Sequence, residues 1–141
     1  MRPLYETSAD RANEKDLACS LGLLWNAMPV ELPKQYMVDW AFQRGKEIAA
    51  FCEIKCRRVN SDTYPSLILS LAKWMRMVDL SKATGLPVFL IVKYADGLVK
   101  IIKADRMRQR VIVGGRSDRN DSQDMEPVVE IFNEELKCLK L

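Results

Sequence analysis

Residues 37–58 read MVDWAFQRGKEIAAFCEIKCRR, and the alternation within them decides the architecture of this 141-residue chain. Two apolar runs, roughly Gln35–Phe42 and Glu47–Cys56, flank a tight turn around Arg44-Gly45-Lys46, the pattern of a β-hairpin. Both runs are apolar on both faces, which predicts a hairpin central in a sheet and covered on each side. Charge is expensive in such a place, because a buried carboxylate or ammonium gives up its hydration. Three charged residues nevertheless interrupt the runs: Asp39, Glu53 and Lys55. Side chains alternate along a strand, so Glu53 and Lys55 share a face. A turn centred near Gly45 or Lys46 pairs Asp39 with Phe51 or Glu53, which sets the two carboxylates within about 8 Å of each other.

Two carboxylates at that separation repel unless a cation lies between them. A hard divalent ion answers this, because Mg²⁺ takes oxygen ligands and is typically held by one or two carboxylates with waters and substrate phosphate; Mn²⁺ suits the same donors. The chain has no histidine, which excludes Ser-His-Asp and Cys-His catalysis and every histidine-ligated zinc or iron site. Proton transfer must fall to carboxylates, Lys, Tyr, Cys or water. Lys55 stands where it would orient or deprotonate an attacking water and steady a pentavalent phosphate. The bland counterpart is a buried structural ion pair between Lys55 and one acid.

Outward from the hairpin, Thr7 or Ser8 can cap a helix running to about Ala27, with a stripe of Leu17, Ala18, Leu21, Leu24 and Trp25. Glu14 falls in line with that stripe, which suggests a further metal or water ligand, or else the stripe's exposed end. A second helix is predicted from about Tyr64 to Ala83, with Leu67, Leu71, Trp74, Met75 and Val78 inward and Gly85 closing it. Ser66, Ser70 and Lys73 make a polar stripe beside that face, either contacting a scissile phosphate or forming a solvated flank. Pro87–Tyr94 is a buried strand, Asp96-Gly97 a hairpin turn and Leu98–Lys103 its return. Arg110–Val113 adds a short strand, residues 116–126 a polar mobile loop, and Pro127–Phe132 a last strand. The expected architecture is one α/β domain with a mixed central sheet flanked by helices, its core at about 7–105 and a basic strand, polar loop and final strand at 106–141.

Asp39, thirteen intervening residues and then Glu53-Ile54-Lys55 resemble the signature of the PD-(D/E)xK, or restriction-endonuclease-like, nuclease superfamily. The likeness spans roughly residues 10–95, including a helix before and after the hairpin in the αβββαβ order; Val38 stands in the place of the motif's proline, and Val30–Leu32 would have to supply the remaining strand. In size the chain is similar to small Holliday-junction resolvases and phage-type nucleases. The resemblance implies Mg²⁺-dependent hydrolysis of phosphodiesters, with Asp39 and Glu53, joined by Glu14, on the metal and Lys55 on the nucleophilic water. It also implies a DNA substrate, branched or flapped forms among them, and a homodimer. RNA is not excluded by any residue. A catalytically silent nucleic-acid-binding or assembly subunit with the same fold is the alternative.

The net charge of +3 is unevenly placed: residues 100–119 carry +5 and residues 120–141 carry −4. The basic stretch is either a solvated strand edge or a phosphate-contacting strip. In the second reading Lys103, Arg106, Arg108 and Arg116 join Arg57 and Arg58, which directly follow the hairpin, and Tyr64 and Ser66, which open the second helix, as nucleic-acid contacts. Cys19, Cys52, Cys56 and Cys138 contain no CxxC pair, so packed free thiols outrank zinc or redox chemistry. No apolar run is long enough to span a membrane and no signal-peptide core opens the chain, which makes a cytoplasmic protein with reduced thiols the expectation.

Overall fold

The computed structural model describes residues 8–105, 109–115 and 125–141. In chain order these form α1 (Ser8–Trp25), β1 (Met28–Glu31), β2 (Trp40–Arg44), β3 (Glu47–Cys56), β4 (Ser66–Ser70), α2 (Leu71–Thr84), β5 (Val88–Lys93), β6 (Val99–Lys103), β7 (Arg110–Gly115), β8 (Met125–Phe132), a 3₁₀ turn (Asn133–Glu135) and β9 (Lys137–Cys138). The larger sheet runs β1-β2-β3-β5-β6-β9. Only β3 and β5 are parallel in it, joined by the long crossover through β4 and α2, and the remaining pairs are antiparallel. The mixed sheet and the flanking helices are therefore as expected, and the missing strand of the αβββαβ order is β1.

Each face of that sheet has its own core. Leu17, Ala18 and Leu21 of α1 lie against Trp40, Phe42, Cys52, Ile54 and Ile91. Trp25 closes this layer edge-on to Phe42, with ring centroids 4.9 Å apart. Leu24, expected in the stripe, is instead exposed. The opposite face presents Ala41, Phe51, Val88, Leu90 and Val92 to Trp74, Met77 and Val78 of α2 and to a second sheet. That sheet, ordered β4-β8-β7, was not anticipated.

Two expected elements are corrected. The segment from Tyr64 is not helical until Leu71: residues 66–70 (SLILS) alternate with period two, burying Leu67 and Leu69, and pair antiparallel with β8. The Leu67–Leu71–Trp74 spacing mimics a helical stripe by coincidence. Ser70, read as part of that stripe, is the helix N-cap, its hydroxyl accepting from the Lys73 amide. Met75 is accordingly exposed, and Met77 and Leu80 are buried. The first hairpin strand starts at Trp40, not Gln35, because Pro33 begins a turn closed by the Tyr36 amide at 2.9 Å. The polar loop read at 116–126 lies outside the described residues as far as 124.

The hairpin turn is two residues long, with Gly45 at φ +60° between the paired Arg44 and Glu47. Past it the register shifts: Gln43 faces Ile48, but Phe42 faces Ala50, leaving Ala49 as a β-bulge.

Candidate active site

The bulge decides which side chains meet. Beyond it Trp40 faces Cys52, so Asp39, one residue before β2, continues the register directly opposite Glu53. The Leu32 amide donates to the Asp39 carbonyl at 2.9 Å, which extends the β1–β2 ladder to this position and fixes its backbone. Glu53 is 5 % exposed and is the one buried charged side chain among the described residues. Its strand face, shared with Phe51, is the one turned toward α2. Lys55 follows two positions on, half-buried.

The first turn of α2 adds a second ammonium. Lys73 Nζ lies 3.2 Å from Glu53 Oε1, an ion pair to a fully buried oxygen. Sequence reasoning placed Lys73 near a phosphate; the contact it makes in the fold is with the central carboxylate. Burial first, and then the shared hydrogen bond and charge of Asp39, push Glu53 up from 4.5 to about 8, against the pull of Lys73. Lys55 moves the other way, from 10.5 to about 8, because burial and the neighbouring charge of Arg57 outweigh the attraction of Glu53. Lys55 itself lies within ion-pairing distance of no described carboxylate. Two groups on one strand face thus change protonation near neutrality, as acid–base sites require.

The donor set suits a hard cation. Two facing carboxyl groups, one of them buried, are what Mg²⁺ takes from a protein when water and phosphate complete its shell. Among the described residues no three Asp, Glu, Cys or His side chains come together in a metal-holding group. Glu14 in particular sits on α1, which covers the other face, and shares with Asp39 and Trp40 the lining of a cleft of about 290 Å³. It approaches the site from the Asp39 side and does not complete a triad.

Of the expected nucleic-acid contacts, four gather at one place. Arg57, Arg58, Tyr64 and Ser66 line a cavity of about 600 Å³ at the end of β3. Arg57 continues the Glu53–Lys55 face, and its Nη2 donates to the Ile68 carbonyl of β4 at 2.9 Å. Ser66 is engaged, its hydroxyl donating to Glu130 Oε2 at 2.8 Å, while Arg110 pairs with the other oxygen at 3.0 Å. Lys103 does not join them: it pairs with Phe89, on the α1 face of the sheet, and is exposed. Arg106, Arg108 and Arg116 lie outside the described residues. Sequence reasoning missed Tyr94, a buried member of the same cavity wall; no pattern in the chain links it to Arg57.

Comparison with known proteins bears on the fold and the family. The fold resembles that of Hjc, a Holliday junction resolvase of the archaeal hyperthermophile Archaeoglobus fulgidus, with a TM-score of 0.58 and 15 % identity over 90 % of this chain and 86 % of that one. No curated protein sequence matches the chain. Residues 1–138 match the family described as "Phage putative PDDEXK endonuclease", and the chain belongs to that family of PD-(D/E)xK nucleases.

Proposed function

We propose that the protein is a Mg²⁺-dependent endonuclease that hydrolyses DNA phosphodiester bonds, with Mn²⁺ able to substitute, and that it selects branched or flapped DNA. The observation that carries this is Glu53: a buried carboxyl set against a second carboxyl, ion-paired to Lys73 and followed on its own strand face by Lys55. A core has no use for that arrangement, whereas a cation offsets its cost. Asp39 and Glu53 would hold the ion, with Glu14 reaching it through water. When bound, such an ion polarises the phosphate and acidifies a coordinated water.

The chain's own residues supply the rest. Lys55 Nζ, poised near pH 8, orients the attacking water and takes up its proton as the neutral amine. As the ammonium it stabilises the charge that builds on the phosphoryl oxygens. Lys73 keeps a positive charge beside Glu53, which limits how far that carboxyl's proton affinity climbs. Arg57 and Arg58 receive the backbone beyond the cut. Two copies of the chain would address the two strands of a duplex or junction.

The silent-subunit reading gains nothing from the geometry, because the cation paired to Glu53 is Lys73 and Lys55 is left available. The test is a cleavage panel of single-stranded, duplex, flap and four-way-junction DNA with and without Mg²⁺. Lys55→Ala is expected to lower cleavage by roughly 10²–10⁴-fold while DNA binding in EDTA is kept. Undiminished cleavage by Lys55→Ala would overturn the assignment. The four cysteines are free, and no described helix is long and apolar enough to cross a membrane; we place the enzyme in the cytoplasm.

A further inference from the structure

We propose that the cavity at the end of β3 is a receptor for a single unpaired nucleotide, its phosphate on Arg57 and its base on Tyr64, immediately beside the scissile phosphate. The proposal rests on the nuclease reading for the position of the scissile bond and goes beyond it in naming what the neighbouring pocket selects.

Arg57 is half-buried, and its guanidinium has five N–H donors. The Ile68 carbonyl takes one of them, and no described carboxylate pairs with the group. Burial accordingly lowers its proton affinity. A desolvated cation without a counter-ion is costly, and an anion with several oxygens satisfies it best. Arg57 lies two residues beyond Lys55 on one strand face, about 6.6 Å along the chain, on the order of one nucleotide step. The phosphate it receives is therefore the neighbour of the one being cut.

The cavity holds about 600 Å³, within the range of pockets that enclose one small ligand. Its carboxylate, Glu130, is already held by Ser66 and Arg110 and leaves the pocket without a free acid to repel an anion. Tyr64 at the rim is 60 % exposed, yet its backbone is pinned: Asn133 Nδ2 donates to the Tyr64 carbonyl at 2.8 Å, and the Asn133 amide donates to Pro65 at 3.0 Å. An exposed aromatic ring on a fixed backbone is a stacking platform in which only the side-chain torsions are left to order. A base within a duplex is stacked on its neighbours and cannot enter a cavity; one from a flap, bulge or single strand can.

The test measures binding in EDTA, apart from catalysis. Three fluorescent DNAs share one sequence: a continuous duplex, a duplex with one unpaired adenine, and the same duplex with an abasic residue at that site. Wild type is expected to bind the unpaired adenine about tenfold more tightly than the abasic form, as one base-on-aromatic stack contributes. Tyr64→Ala should erase that difference and Tyr64→Phe should keep it. Arg57→Gln should weaken the adenine and abasic forms alike. Equal affinity of wild type for adenine and abasic DNA, or a preference that survives Tyr64→Ala, overturns the pocket. Cleavage of the same DNAs in Mg²⁺ separates the two readings: cutting without base preference refutes the pocket alone, and base-selective binding without cutting refutes the nuclease alone.

Discussion

Replacing Glu53 by Gln should stabilise the cation-free protein, and by an amount that depends on pH in a defined way. The residue is 5 % exposed, so solvent screens it little. Its proton affinity in the fold, about 8 against 4.5 for an ordinary glutamate, means that the native state holds a proton which the unfolded chain releases. Below pH 4.5 both states are protonated and the neutral carboxyl resembles the amide. From 4.5 upward, holding the proton costs about 1.4 kcal/mol per pH unit, reaching roughly 3 kcal/mol at pH 7 and levelling above pH 8, where native Glu53 ionises as well. Wild type thus loses stability through that window and Glu53→Gln does not. Urea unfolding in EDTA at pH 4.5, 6, 7 and 8 reads the difference directly. At slopes of about 1–3 kcal/mol/M, 3 kcal/mol raises the midpoint on the order of 1–3 M. Adding Mg²⁺ at 100 times its dissociation constant should return about 2.7 kcal/mol to wild type and little to the variant. A difference that stays flat with pH, or a variant less stable than wild type at pH 7, would refute the account of Glu53 as a strained functional acid.

Three further outcomes follow from the same site and its supports. Because Glu53 keeps its proton below about pH 8, Mg²⁺ binding at pH 7 should release close to one proton, read by titration calorimetry in two buffers of different ionisation heat. The Lys55 amine becomes free as pH rises through about 8, so the cleavage rate should climb to that pH and then level; Lys55→Arg, which stays charged, should lose the climb together with most of the activity. Gly85 ends α2 at φ +71°, with its amide donating to the Ser81 carbonyl, so Gly85→Ala should cost about 1–2 kcal/mol in thermal or urea unfolding.

The carboxylates and Lys55 were legible because they break a local rule, charge within runs apolar on both faces, and because strand parity is countable from a glycine turn. Glu53 and Lys55 needed nothing else. Asp39 was legible only to within one register choice, since the turn itself pairs Arg44 with Glu47 and only the bulge at Ala49 brings residue 39 opposite residue 53. β4 was illegible for a different reason. Its partner strand lies about 60 residues away, with Ser66 opposite Phe132, and the five residues SLILS cannot outvote an adjoining helix that shares their spacing. With β4 misread, Ser66 and Ser70 were set on a helix, and the carbonyl of Ile68 that steadies Arg57 could not be foreseen. Glu14 shows the limit of a helical wheel: it finds Leu17, Ala18 and Leu21 but not which face of the sheet they cover.

The bulge joins the packing of this protein to its chemistry. Without Ala49 as an extra residue, the turn register would carry on as Phe42 opposite Ala49 and Asp39 opposite Cys52. Every side chain of β2 would then exchange faces relative to β3. Trp40 and Phe42 would leave the α1 layer, breaking the edge-on contact of Phe42 with Trp25, and Asp39 would turn away from Glu53. The large aromatic side chains therefore select the same register that forces two carboxyl groups together. Their burial, worth about 1.5–3 kcal/mol for each fully buried large apolar side chain, offsets the cost of burying Glu53 against Asp39, which the hairpin alone would relieve by slipping one residue. Ala49 is small and unpaired, and its importance is invisible to any reading that asks only what its own side chain touches. Its effect is carried by Trp40, Phe42 and Asp39, and the strained carboxyl pair survives because the α1 core would have to come apart before it could relax.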